Sequence, residues 1–143
     1  MILEHKILVF ESLPSTHSLS NELERGGLQR DNMSIVSDYD LAMHVVTLYP
    51  IRAAVLHIPG LPKNAARNQE LHKALRRPNP YVEIYHVVSF PLSSLEEMEK
   101  FGLVKLAVTG LLPAKFGSTV EENPLCQFGL YLHRKYFSEI ARA

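Results

Sequence analysis

The sequence predicts an α/β fold: a three-layer α/β/α sandwich around a five-stranded parallel sheet. Three observations predict it. Short apolar runs recur along the chain, and those at Lys6–Phe10 and Arg52–His57 have no alternating polar face, as expected of strands buried on both sides. The segments between the runs carry apolar residues at helical spacing. Strands separated by helical patterns need right-handed crossovers, which make the sheet parallel and put helices on both faces.

The chain of 143 residues is long enough for one domain, here expected to span 1–143, with a real core. Fifteen basic residues balance fifteen acidic ones. That balance argues against direct nucleic-acid contact or a membrane-surface role, which need clustered Lys and Arg. The densest basic cluster, Lys73, Arg76 and Arg77, falls at an expected helix end, where the dipole favours cations. Cys126 is the only cysteine. It excludes an intrachain disulfide and a thiolate zinc site, and it suits a reducing cytoplasm. The N-terminus has an acid and a histidine inside its apolar run, unlike a signal peptide. No stretch approaches the roughly 20 apolar residues of a membrane span.

The elements follow in order. Lys6–Phe10 is a first strand. Pro14-Ser15-Thr16 turns the chain into a helix from Thr16 to Arg25, with Leu19 and Leu23 on one face. Gly26-Gly27 stops it. Met33–Val36 is the second strand. Asp38 or Asp40 caps a second helix, which Tyr49-Pro50 ends. Arg52–Pro62, R-A-A-V-L-H-I-P-G-L-P, is the organising stretch: a buried strand ending at His57, followed at once by a proline-glycine break. A third helix runs from Ala65 to Arg77, with Leu71 and Leu75 inward. Tyr81–Ser89 is a fourth strand, rich in branched and aromatic residues. Ser93 or Ser94 opens a short helix that Gly102 ends. Lys105–Val108 is the expected fifth strand. A loop from Thr109 to Asn123 leads to a last helix carrying Leu125, Phe128, Leu132, Phe137 and Ile140, with Pro124 near its start.

With the elements in place, the chain resembles a response-regulator receiver domain of two-component signalling. The resemblance rests on K-I-L-V-F-E-S, on R-A-A-V-L-H-I-P-G-L-P, on L-H-K-A-L-R-R-P-N-P-Y-V-E-I-Y-H-V-V-S-F and on E-K-F-G-L-V-K-L-A-V-T-G-L-L-P. It implies a flavodoxin-like strand order, 2-1-3-4-5. A working receiver holds magnesium with two acids after strand one and an aspartate ending strand three. That aspartate takes a phosphoryl group, and a lysine after strand five neutralises the charge. Carried onto this chain, the acidic pair falls on Phe10 and Glu11, the phosphoacceptor on His57, the switching hydroxyl on Ser89 and the lysine on Pro113, with Lys115 two residues on. One carboxylate cannot make a magnesium site. The resemblance therefore implies a degenerate pocket of Glu11, His57 and Ser89 in a pseudo-receiver: no catalytic residues, no metal, no cofactor, and action through protein–protein interaction. The expected partner is a signalling protein or an attached output domain.

In this reading a neutral His57 fills the vacated acidic pocket, hydrogen-bonded to Glu11 or a backbone carbonyl. A metal site of Glu11, His57 and His86 is disfavoured, because strand alternation turns His86 and Ser89 to opposite faces. Neither G-x-G-x-x-G nor G-x-x-x-x-G-K appears, and V-V-S-F-P lacks a hydrolase elbow. The last helix carries Phe128, Tyr131, Tyr136 and Phe137, more apolar surface than one buried stripe requires. Those aromatics suit a partner or homodimer interface. The rival reading is a small flavodoxin-like ligand-binding protein or enzyme using the crevice after strands one and three, where S-L-P-S-T-H-S is rich in hydroxyls.

Overall fold

Side chains of a strand alternate between the two faces of its sheet, and in β1 (Lys6–Glu11) both faces are apolar. Ile7 and Val9 enter one core, Leu8 and Phe10 the other. In β3 (Ile51–His57), Ala53 and Val55 join the first core, Ala54 and Leu56 the second. β1 pairs in parallel with both β3 and β2 (Met33–Val36). β4 (Glu83–Val88) lies beyond β3, and β5 (Gly110–Pro113) forms the edge. The result is a five-stranded parallel sheet of flavodoxin-like order, 2-1-3-4-5, seen in a computed structural model that describes residues 4–11, 18–57, 65–88, 96, 99 and 102–138.

Helices cover both faces. α1 (Leu19–Arg25) and α5 (Pro124–Leu132) bring Leu19, Leu23, Leu125, Phe128 and Leu132 onto Ile7, Val9 and Val55. α2 (Tyr39–Leu48), α3 (Ala65–Arg76) and α4 (Leu103–Leu106) bring Ala42, Val45, Leu71, Leu75, Leu103 and Leu106 onto Leu8, Phe10 and Leu56. The caps use the residue types that compete for orphan amides. Ser18 accepts from Asn21 N, Asp38 from Leu41 N, and Asn123 from Leu125 N and Cys126 N. Leu19 is the first residue of α1; the expected start at Thr16 lies outside the described residues.

The largest departure concerns the fifth strand. Leu103–Leu106 is helical, and the strand is Gly110–Pro113 instead of Lys105–Val108. Leu103 and Leu106, three apart, are both buried on the α3 side of the sheet, which a helical turn achieves and a strand does not. Ala107, at φ 52°, ends that turn. Thr109 then docks on β4: its N–H donates to the Ile84 carbonyl at 2.7 Å, and its hydroxyl accepts from Ile84 N at 2.9 Å. Pro113 has no N–H, and Ala114 N donates to the Val88 carbonyl at 2.7 Å. The expected loop from Thr109 to Asn123 therefore contains β5, and also a 3₁₀ turn at Val120–Glu122.

Gly102 does turn the chain, at φ 73°, but the helix resumes directly after it. Glu96 and Glu99 are helical, and the rest of that expected helix lies outside the described residues. β4 begins at Glu83 because a turn at Asn79 precedes it, with Val82 N bonded to the Asn79 carbonyl and Tyr81 90% exposed. After Leu132 the last helix widens into a π-helical turn, His133–Phe137; Ile140 lies outside the described residues.

Candidate functional site at the strand ends

Ligands of parallel α/β sheets bind past the carboxyl ends of the strands, and here Glu11 and His57 end neighbouring strands in register. Both follow residues of the α1/α5 core, Val9 and Val55, and share their face. Glu11 is 9% exposed, and its carboxylate turns to α1. Oε2 accepts from Ser20 N at 2.9 Å and Oε1 from the Ser20 hydroxyl at 2.8 Å. Ser18 already holds the amide of Asn21, so the two side chains divide the orphan donors of the first turn.

His57 is half-buried, and its ring lies tilted against Phe116, with centroids 5.8 Å apart. Burial lowers its pKa, and the opposing pull of Glu11 does not reverse this. The imidazole is therefore neutral at pH 7. Of the two partners expected for His57, Glu11 or a backbone carbonyl, Glu11 forms no hydrogen bond to it among the described residues; both carboxylate oxygens accept from Ser20. Ser89, the third residue of the expected pocket, lies outside the described residues. Pro113, the position the resemblance gives to a lysine, ends β5, and Lys115 beyond it is exposed.

His86 stands apart from this group. It pairs in register with Leu56 and belongs to the opposite face from His57. There it meets His72 of α3: the Nε2 atoms are 3.0 Å apart, the rings are stacked at 13°, and both residues are buried. Burial, then the Arg76 charge, push the His72 pKa down to about 4, against a pull from the Leu106 carbonyl. Burial, then His72, push His86 down to about 3. Among the described residues no group of three or more His, Cys, Asp or Glu side chains is placed to hold a metal ion.

The aromatics of the last helix are largely committed within the chain. Phe128 and Phe137 belong to the core, Phe128 packing edge-on against Tyr85 and Phe137 stacking on His5. Tyr131 and Tyr136 direct their hydroxyls to Glu83, which also accepts from Tyr85 and Lys135. Burial would raise the Glu83 carboxyl, but the bonds from Tyr136, Lys135 and Tyr131 outweigh it and hold its pKa below the ordinary value. Tyr131 remains 38% exposed.

Sequence reasoning missed three polar groupings: the His72–His86 pair, the Glu83 hub, and a buried network around Glu22. Glu22 accepts two bonds from Arg25, at 2.9 and 3.0 Å, one from the Asn123 amide, and a weak one from the Cys126 thiol at 3.8 Å. Asn123 alone left a signal, as a capping residue before a proline. No helix among the described residues is long and apolar enough to cross a membrane. No family model, curated protein or solved structure matches the chain.

Proposed function

We propose that the chain is a pseudo-receiver: a signalling module that binds a protein partner without aspartyl phosphorylation. One observation carries this reading. At the ends of β1 and β3, where a receiver gathers acids around magnesium, the one carboxylate among the described residues, Glu11, is bonded at both oxygens to Ser20, and its neighbour His57 is a half-buried neutral imidazole. A magnesium ion takes carboxylate oxygens and surrenders its water reluctantly. This pair offers it one carboxylate, already engaged by Ser20, and no second acid. The parallel 2-1-3-4-5 sheet supports the comparison with receivers.

In this reading the module is not an enzyme, and it works in a reducing cytoplasm. Its partner is a signalling protein, an attached output domain or a second copy. Tyr131, exposed on the last helix, is the aromatic there best placed to contribute to such an interface. The test is addition of acetyl phosphate, or of beryllofluoride, with magnesium. The amide spectrum is expected to stay unchanged and the mass to gain no phosphoryl adduct. Shifts centred on Glu11 and His57, or a stable adduct, overturn the reading. Light scattering reports whether the partner is a second copy.

A further inference from the structure

On the opposite face of the sheet from Glu11 and His57, a cavity of about 750 Å³ opens at the second half of α3. Gln69, His72, Lys73, Arg76, Arg77 and Leu106 line it. Three of these are cations, and among the described lining residues none is a carboxylate. In a chain whose charges balance, that is a local concentration of positive field.

Helix-end compensation accounts for one of the three. Arg76 donates to the Leu106 carbonyl at 2.9 Å and to the Ala107 carbonyl at 2.6 Å, which neutralises the end of α4 and fixes the guanidinium in place. Lys73 and Arg77 are exposed, and neither donates to a helix-end carbonyl among the described side-chain bonds. Behind the cations lies the His72–His86 pair, where an apolar floor would have been the simpler construction. A cavity of several hundred Å³ is the usual size for a small molecule. Three cations, two of them arginines, match the charge and oxygen geometry of a phosphate better than that of a single carboxylate.

We propose that this cavity binds a phosphorylated small molecule, its phosphate held by the uncommitted Lys73 and Arg77 beside the anchored Arg76, and its organic body packed toward Gln69 and Leu106. The site is separate from the strand-end pocket and goes beyond the signalling reading. The groups facing His72 among the described residues are Arg76 and Lys73 of its own helix, His86 of β4 and the Leu106 carbonyl of α4. An arriving phosphate offsets the Arg76 charge. Protonation of His72 then becomes easier, and its pKa rises in the complex.

The test is a magnesium-free titration of the full chain with adenosine monophosphate and with inorganic phosphate, followed by amide and imidazole NMR. Shifts are expected along 69–77 and 103–107, with a higher His72 pKa at saturation. Lys73→Glu and Arg77→Glu, both at exposed positions, are each expected to weaken binding by roughly tenfold. Arg52→Glu, an exposed charge on β3, leaves it unchanged. Tighter binding of adenosine monophosphate supports an organic phosphate, and equal binding of both probes supports a site for the phosphate group alone. Three outcomes overturn the proposal: no shifts in that region, equal loss in the Arg52→Glu control, or a response to an acidic peptide but to neither phosphate. All three leave the strand-end test untouched, since its signals fall at Glu11 and His57.

Discussion

Two hydrogen bonds to Ser20 decide what Glu11 is. A carboxylate at a strand end is a candidate ligand by position alone; bonded to the backbone and hydroxyl of one serine, it becomes part of a helix start. Glu11→Gln keeps the shape but turns an amide donor toward groups that themselves donate. The expected loss is roughly 1.5–3 kcal/mol, the range for bonds to a charged group, read from the urea midpoint. An unchanged midpoint would show that the bonds contribute nothing net. The positions of Glu11 and His57 were legible, because a buried run closed by a break announces a strand end. The turn of Glu11 toward Ser20 was not. Nor was the His72–His86 contact, which joins residues of two elements and leaves no spacing pattern.

The elements show the same division. Strands one to four were legible because branched and apolar runs were bounded by Gly, Pro and Asp. The fifth is not, because L-V-K-L-A-V reads equally as strand or buried helix when only periodicity is available. Packing of Leu103 and Leu106 beside α3 settled it. The sequence places a helix stop at Gly26-Gly27, and the helix does end there, but only Gly27, at φ 124°, has the left-handed backbone. Gly26 serves contact. A Cβ there would meet the Cys126 carbonyl oxygen at 1.7 Å, and one on Gly129 would meet that of Leu23 at 2.2 Å. α1 and α5 thus cross backbone to backbone. Gly129→Ala is expected to cost about 3 kcal/mol, since neither helix can yield without moving the other. Thermal denaturation measures it, and a wild-type melting temperature would refute the close crossing.

For the molecule as a whole, three depressed histidines contribute to the response to acid. His57, His72 and His86 all hold pKa values below the ordinary 6.5 when folded. The unfolded chain therefore binds more protons than the native one once the pH drops below about 6.5. Stability is full above that point and is lost progressively as the pH falls toward about 4, where His72 titrates, and about 3, where His86 does. The depressed Glu83 acts in the same direction at the acid end. The His72 contribution is on the order of 3 kcal/mol. Urea midpoints between pH 7 and 4 follow this loss. Replacing both residues of the pair, His72→Leu with His86→Leu, is expected to flatten the curve, and an equally steep curve would place the acid response elsewhere. The α1–α5 crossing has a separate consequence for the solitary thiol beneath it. Cys126 is fully covered, bonded to Glu22, and raised in pKa by burial and then by that carboxylate. An alkylating reagent meets it only during excursions that part the two helices, so the chain carries its own stopwatch for native-state opening.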